Sequence, residues 1–413
     1  MLKQEVFCSL DRTSALAVTD SKLASVRRSN IKRTGVRVFD GKNVGVAGGL
    51  GKVDESQLRE QATRGLDLNI SYPYELSGSR KEELELTNSI ENVNDLVSQT
   101  EEVLSKLREY DDFSFSGLIH LVNERTSLRN DDGLDLSCEV KFTSFGILFK
   151  VLNSGNIFDG SLIYSGSQFS KDDYLEMSKD CLTAFRNNVA VPSGEKIPVL
   201  WNAKYSPMDH ILNFFSRSLN GRTFASGGSI LSDKRGQKIF DDNLTLYQCN
   251  DPEIITGPFF DAEGTINDAF RYPLIEKGKL ITPYTDKKNA DKYELPLTGA
   301  ASSTYDSIPA LGNPNLELKA DERNLSELLG GRPAIFVDMS AGGDFTPDGH
   351  YAAPIQLAYL FDGERLVGRL PQLQVSSSVF DMFGADFIGV TNDKWPFASN
   401  GHLIAAEMLV NEL

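Results

Sequence analysis

The second half of this 413-residue chain is dominated by short alternating apolar stretches that turn residues separate. The stretch 274–281 turns at Lys277-Gly278-Lys279, and the stretch 355–370 turns at Asp362-Gly363. Alternation with a period of two is typical of strands with one buried face, and Gly and Asp tolerate the positive φ of tight hairpins. The pattern predicts a β-rich unit with a curved or barrel-like sheet.

The first part of the chain mixes helical and strand patterns. Apolar residues recur at helical spacing over 89–110, with a polar opposite face, and another helical pattern covers 171–185. Alternating residues at 31–46 surround an Asp40-Gly41 turn and predict a hairpin. A second hairpin is expected from the strand patterns 113–122 and 136–151, which flank the turn residues 129–133.

The length of the chain exceeds what one ordinary hydrophobic core supports, so we expect two domains. Pro192-Ser193-Gly194 favours a connector between them. We therefore predict an α+β protein, with a mixed α/β N-terminal domain over residues 1–190 and a β-rich C-terminal domain over residues 191–413. One helix is expected within the second domain near 207–220, where Ser206 is placed to cap its first turn.

Charge and hydropathy exclude several classes of protein. The formal net charge of −16 disfavours direct binding to nucleic acid, because the phosphate backbone attracts basic proteins. Neither a signal-peptide core nor a run of about 18 apolar residues occurs in the sequence, so we expect a soluble cytoplasmic protein with no membrane contact. The four cysteines are widely spaced, which favours reduced and mostly buried thiols.

The sequence contains no recognisable metal or nucleophile motif. None of the histidines begins an H-E-x-x-H motif or is paired with another at i, i+4; they are His120, His210, His350 and His402. The glycines of 41–51 match neither a P-loop nor a dinucleotide fingerprint, and no G-x-S-x-G elbow surrounds a serine. We therefore assign no catalytic residue and no metal ligand.

Two acidic runs are the most distinctive local features. Asp261 and Glu263, just before Gly264, have the spacing for acid–base work or cation binding, but capping of backbone N–H groups in a turn is the favoured interpretation. On that interpretation alanine at either position costs about 0.5–2 kcal/mol of stability. In the second run Gly342-Gly343 precedes Asp344, and its spacing does not match a calcium loop. It predicts an exposed loop.

Taken in order, these runs resemble the C-terminal half of the TldD/PmbA family, once called modulators of DNA gyrase. The matching segments are Asp261-Ala262-Glu263-Gly264, 274–280, Ala290, Thr298-Gly299 and Gly343-Asp344-Phe345. Residues 33–39, with Gly41 and Gly45, are similar to the family's N-terminal hairpin. The resemblance implies a dimer around an enclosed cleft that admits extended or unfolded peptides.

Catalytic members of that family carry H-E-x-x-x-H on a helix, and its histidines bind zinc while its glutamate polarises water. If His210 holds the first position, Ile211 replaces the base and Phe215 replaces the second histidine. No cysteine follows Cys249 to supply the family's cysteine ligand near the C-terminus. The chain is therefore similar to the PmbA/TldE-like branch, for which zinc is expected in a TldD-like partner and not in this chain.

The resemblance implies a substrate-positioning subunit of a cytoplasmic metallopeptidase complex, paired with a TldD-like zinc paralogue or with itself. An autonomous homodimeric peptidase with an unrecognised site and a regulatory protein that modulates gyrase remain as alternatives. The residues assigned to the substrate cleft are His210, Asp261, Glu263, Gly343, Asp344 and Phe345. Among them, Asp344 is favoured for peptide contact, because the preceding glycines would let a peptide backbone approach closely.

Overall fold

The computed structural model describes residues 1–192, 196–203, 211–399 and 401–413. The strands are β1 (Lys3–Thr19), β2 (Lys22–Phe39), β3 (Val44–Leu50), β4 (Arg80–Glu85), β5 (Phe113–Asn130), β6 (Leu134–Val151), β7 (Gly160–Gly166), β8 (Ile197–Asn202), β9 (Leu246–Cys249), β10 (Arg271–Glu276), β11 (Lys279–Leu280), β12 (Ala301–Ser302), β13 (Ala310–Leu311), β14 (Leu316–Leu318), β15 (Ala334–Ser340), β16 (Asp344–Phe345), β17 (His350–Phe361), β18 (Leu366–Arg369), β19 (Leu373–Ser378), β20 (Phe387–Val390) and β21 (Leu403–Glu412). The α-helices are α1 (Glu55–Gly65), α2 (Val93–Leu107), α3 (Lys171–Arg186), α4 (Asn213–Ser218), α5 (Gly221–Ala225), α6 (Lys287–Tyr293), α7 (Leu325–Leu329) and α8 (Val379–Met382).

The N-terminal strands form one seven-stranded sheet in the order β3-β2-β1-β5-β6-β4, with β7 paired to β6. The predicted hairpin at Asp40-Gly41 is confirmed as β2 and β3, and the hairpin at 129–133 is confirmed as β5 and β6. Each strand of the second hairpin is 18 residues long, and alternate side chains are buried along most of β6 and at both ends of β5. Both predicted helices of this part are confirmed as α2 and α3.

The C-terminal strands include a closed five-stranded barrel. Its order is β15-β8-β21-β19-β17, and an additional antiparallel pairing of β15 with β17 closes it. The neighbours β8 and β15 are parallel, whereas the other pairs are antiparallel. A smaller sheet, β11-β10-β9-β14, contains the hairpin predicted at 274–281. The predicted α+β class with a barrel-like second part is confirmed.

One hydrophobic cluster joins the two parts. It contains Leu16 and Phe145 from the N-terminal sheet, Leu104 from α2, and Phe336 and Tyr359 from the barrel. Burial of apolar surface from both parts in one cluster couples their stabilities. The domain boundary between residues 190 and 191 stays a prediction.

The helix predicted near 207–220 is interrupted in the described residues. Helix α4 ends at Ser218, and α5 begins at Gly221 with the Asn220 side chain accepting a hydrogen bond from the Thr223 N–H. Asn favours such a capping position because its side chain competes with the helical backbone for hydrogen bonds. The predicted cap Ser206 and the start of that helix lie outside the described residues. In the part of the chain that the structure describes, no helix has the length and hydropathy needed to cross a membrane.

Candidate functional site

The loop between β15 and β17 depends on two consecutive glycines. Gly342 and Gly343 have φ values of +118° and +113°, which L-residues with side chains rarely adopt. A Cβ on Gly343 would lie 2.6 Å from the Ala353 Cβ, whereas a Cβ on Gly342 would meet open space. After this bend Asp344 and Phe345 form β16 and pair with β17.

This loop is docked on helix α4. The Arg217 guanidinium donates to both carboxylate oxygens of Asp344, with an Nη1–Oδ2 distance of 3.2 Å, and both side chains are more than half exposed. The Phe345 ring is buried against the rings of Phe214 and Tyr351, at centroid distances of 5.1 and 4.7 Å. We call Gly342–Phe345 together with Arg217 the loop–helix site. It joins three of the predicted cleft residues, Gly343, Asp344 and Phe345.

The predicted cleft residue His210 lies outside the described residues, but the two positions that complete its motif are described. Ile211 and Phe215 are fully buried in the core of the C-terminal part. The Phe215 ring packs against Phe383 and Phe240, at centroid distances of 4.8 and 5.7 Å. Aliphatic and phenyl groups neither ligate a metal nor accept a proton, so these two positions do not fit the zinc site of the catalytic family members.

The described residues offer no alternative set of metal ligands. Across residues 1–192, 196–203, 211–399 and 401–413, no three His, Cys, Asp or Glu side chains are grouped to hold an ion. The lack of zinc in this chain stays a prediction.

Asp261 lies in a different, buried place. Its Oδ1 accepts hydrogen bonds from the backbone N–H groups of Glu263 and Thr265, at 2.9 and 2.8 Å, and its Oδ2 accepts one from Ala301 at 3.0 Å. Both carboxylate oxygens of Asp261 are thus engaged as acceptors, and the residue is 7% exposed. Burial raises the pKa of this carboxyl, although the three N–H donors act in the opposite direction.

Glu263 connects the two parts of the chain. Its Oε1 accepts from the Tyr72 hydroxyl at 2.6 Å, and its Oε2 accepts from the Lys287 N–H at 2.9 Å. Burial, followed by the charge of Asp261, raises the pKa of Glu263. Both carboxyls are buried and hydrogen-bonded, which favours a structural role over contact with a peptide. Their place in the substrate cleft stays a prediction.

Arg37 completes this network, and sequence reasoning missed it. The side chain is 1% exposed and donates to Glu5 Oε1 at 2.8 Å, to the Ala262 carbonyl at 2.8 Å and to Ser303 Oγ at 2.5 Å. A buried guanidinium requires such partners. The available signal in the sequence was the position of Arg37 in the predicted hairpin, between Val36 and Val38. These apolar neighbours predict that the strand around Arg37 is buried.

The fold defines a class of α+β proteins in which a long-stranded, mostly antiparallel N-terminal sheet and two helices pack on a closed five-stranded barrel. No curated protein matches the sequence significantly. TldE from Thermococcus kodakarensis has a similar structure, with a TM-score of 0.80 and 18% identity over 100% of this chain and 97% of its own. A protein described as a modulator of a DNA gyrase from Thermotoga maritima has a TM-score of 0.80 and 15% identity, over 99% of this chain and 96% of its own.

A further gyrase-modulator structure, from Bacteroides thetaiotaomicron, matches with a TM-score of 0.76 and 16% identity, over 100% of this chain and 95% of its own. At these identities the structures show a shared fold. Residues 195–413 match the sequence family described as the PmbA/TldA metallopeptidase C-terminal domain. Since that match covers more than half of the chain, the protein belongs to the PmbA/TldD metallopeptidase family.

Proposed function

We propose that this protein is a TldE/PmbA-like subunit of a peptidase complex, which positions peptides and holds no catalytic zinc itself. The observation that carries the proposal is the pair Ile211 and Phe215, which occupy the positions of a base and a ligand and are both fully buried. Replacing either by a charged or polar residue would place an unpaired polar group in the core. The apolar packing at these positions therefore opposes a water-activating centre there.

The loop–helix site supports a role in holding an extended peptide. Open space at the Gly342 Cα lets a backbone approach the loop closely, and the exposed Asp344 and Arg217 side chains offer one charge of each sign at its border. The Phe345 ring holds the loop on α4 by packing against Phe214. Contacts with a peptide main chain and its terminal charges, without a deep side-chain pocket, suit substrates of varied sequence.

A zinc-bearing TldD-like paralogue is the partner that this role requires. An interface that joins two such subunits around a cleft needs about 1,000 Å² or more of complementary surface. In this arrangement the paralogue supplies the metal and the activated water, and this chain supplies one wall of the cleft. A chain that acts only in the complex has no peptidase activity alone.

The test is reconstitution. The purified chain, a zinc-bearing TldD-like paralogue and an equimolar mixture are each incubated with a denatured small protein and with an unstructured peptide. Cleavage by the mixture well above the sum of the separate rates, with none by the chain alone, supports the proposal. Cleavage by the chain alone that a chelator abolishes would refute it, and would favour the autonomous homodimeric peptidase.

A further inference from the structure

The outer edge of the N-terminal sheet is covered along only part of its length. Strand β2 extends from Lys22 to Phe39, but β3 pairs with it only from Arg33 to Phe39. From Leu23 to Ile31, β2 pairs with β1 alone within the described chain. Such an edge is a template for pairing with another polypeptide.

A hydrogen bond at the end of this edge shows which backbone groups of β2 face outwards. The Lys32 carbonyl accepts from the Gly51 N–H at 2.8 Å, on the side away from β1. In an antiparallel strand the N–H and C=O of one residue point to the same side, and the side alternates from residue to residue. The backbone groups of Val26, Arg28 and Asn30 therefore face the open edge.

The hydrogen bonds of Gln4 lead independently to the same assignment of outward-facing residues. Its N–H and C=O pair with Asp131, on the β5 side of β1, so the groups of its neighbour Glu5 point towards β2. Glu5 is opposite Arg37 in the register. Odd-numbered β2 residues from 27 to 37 therefore bond to β1, and the even-numbered residues of this edge face outwards.

The side chains along this edge are basic in a chain whose formal net charge is −16. Arg27, Arg28 and Lys32 lie on β2, and Arg12 lies on β1 directly opposite Asn30. None of these four cations forms an ion pair with another residue of the described chain. Arg12, Arg28 and Asn30 also line a cavity of about 700 Å³ between the sheet and the loop 87–93.

We propose that the β2 edge from Val26 to Asn30 binds an acidic, extended segment of another polypeptide as an added strand. The outward backbone groups of Val26, Arg28 and Asn30 span four residue steps, or about 13 Å, so a segment of about five residues pairs with all of them. Alternate side chains of that segment fall on the cavity face, where carboxylates meet Arg28 and Arg12. Strand addition of this kind supplies affinity through the main chain and selectivity through alternate side chains.

A second copy of this chain is a poor occupant of the same edge. Pairing of β2 with its own copy would bring Arg27, Arg28 and Lys32 close to identical cations, and like charges on neighbouring strands are destabilising. The same charges attract an acidic strand. This inference is independent of the proposed peptidase-subunit function, because it concerns binding by the N-terminal sheet of this chain alone.

The test uses fluorescein-labelled ten-residue peptides of alternating Val and Glu, of alternating Val and Lys, and of Val and Glu with N-methylated glutamates, since residues with side chains on the cavity face point their N–H groups at β2. Fluorescence anisotropy with the full chain gives each affinity. We expect saturable binding of the Glu peptide, which 0.5 M salt weakens by about tenfold or more because exposed charges are screened. We expect about tenfold weaker binding of the N-methylated Glu peptide, because its backbone lacks donors for the edge. The Lys peptide should not bind.

Two substitutions in the edge separate backbone pairing from charge. Asn30→Pro removes an outward N–H while the β1 ladder keeps its bonds, and Asn30→Ala is the matched control that keeps the N–H. We expect about tenfold weaker binding of the Glu peptide by Asn30→Pro and by Arg28→Glu, and a change of less than about twofold by Asn30→Ala. Circular dichroism checks that each variant is folded.

Equal affinity of Asn30→Pro and Asn30→Ala for the Glu peptide would overturn the proposal, as would equal binding of the Glu and Lys peptides or no saturable binding at all. Analytical ultracentrifugation without peptide tests whether a second copy of this chain occupies the edge. If the wild-type chain forms a dimer that Asn30→Pro dissociates and Asn30→Ala does not, a second copy covers this edge and the proposal fails.

Discussion

Replacement of Asp261 by alanine is the most direct perturbation of the buried turn that the Asp261 side chain holds. The substitution removes both oxygens that accept from the N–H groups of Glu263, Thr265 and Ala301. Two of these donors lie in the turn itself, and Ala301 lies 40 residues further along the chain. The substitution therefore releases a local turn and a long-range connection together.

The expected loss in the free energy of unfolding follows from the number of N–H groups that lose their acceptor. A buried N–H group that loses its acceptor costs about 1–3 kcal/mol, so three such groups exceed the effect of one lost helix cap. Relief of the unfavourable burial of the carboxylate offsets part of this loss. We expect a net decrease of about 3 kcal/mol in the free energy of unfolding.

Urea unfolding followed by tryptophan fluorescence measures this difference. Asp344→Ala is the control, because its carboxylate is 64% exposed and its ion pair with Arg217 is screened by solvent. The control should change the free energy of unfolding by less than about 1 kcal/mol. A loss below about 1 kcal/mol for Asp261→Ala as well would show that its three hydrogen bonds do not hold the turn.

Three further predictions concern Glu263, the ion pair of Glu5 with Arg37, and Asp344. The pKa of Glu263 is raised in the folded state, so its contribution to stability is complete below the unfolded pKa of about 4.3 and is lost as pH rises through the folded pKa. In urea titrations the wild type should therefore lose stability relative to Glu263→Gln between about pH 5 and 8. A difference that does not depend on pH would contradict this. Glu5→Ala leaves the Arg37 guanidinium buried without its carboxylate and should cost about 3–5 kcal/mol in the same assay, whereas a loss near zero would refute the role of that pair. In the reconstituted complex Asp344→Ala should slow cleavage without changing the melting temperature. Asp348 is an exposed acid of the same loop, and Asp348→Ala should leave the cleavage rate unchanged. A large drop in the melting temperature of Asp344→Ala with unchanged cleavage per folded molecule would reverse the assignment of Asp344.

Local turn chemistry made much of the fold predictable. Asp40-Gly41 and Asp362-Gly363 contain residues that adopt positive φ at little cost, and both hairpins formed there. The hairpin between β1 and β2 was missed, because its turn residues Asp20 and Ser21 have φ values of +47° and +61° without any glycine as a signal. Strand β4 was missed because its sequence, RKEELE, carries five charges and pairs only at the sheet edge.

The site was predictable only where its contacts are local. Gly343 and Asp344 are adjacent in sequence, so their loop was expected, but the partner Arg217 lies 127 residues from Asp344 and no spacing reveals it. The structural role favoured for Asp261 agrees with the hydrogen bonds that its carboxylate accepts inside the turn, whereas the Glu263 carboxylate accepts from Tyr72 and Lys287 outside it. Their long-range partners, including Tyr72, depend on how the two parts of the chain pack, which periodicity does not encode.

The zinc content of the purified chain tests the central claim most directly. Protein expressed with ample zinc and freed of loosely bound metal is measured by elemental analysis, alone and as the His210→Ala variant. The burial of Ile211 and Phe215 predicts well under one zinc per chain in both samples. One tightly bound zinc per chain that His210→Ala removes would contradict the account and restore a metal centre to this protein.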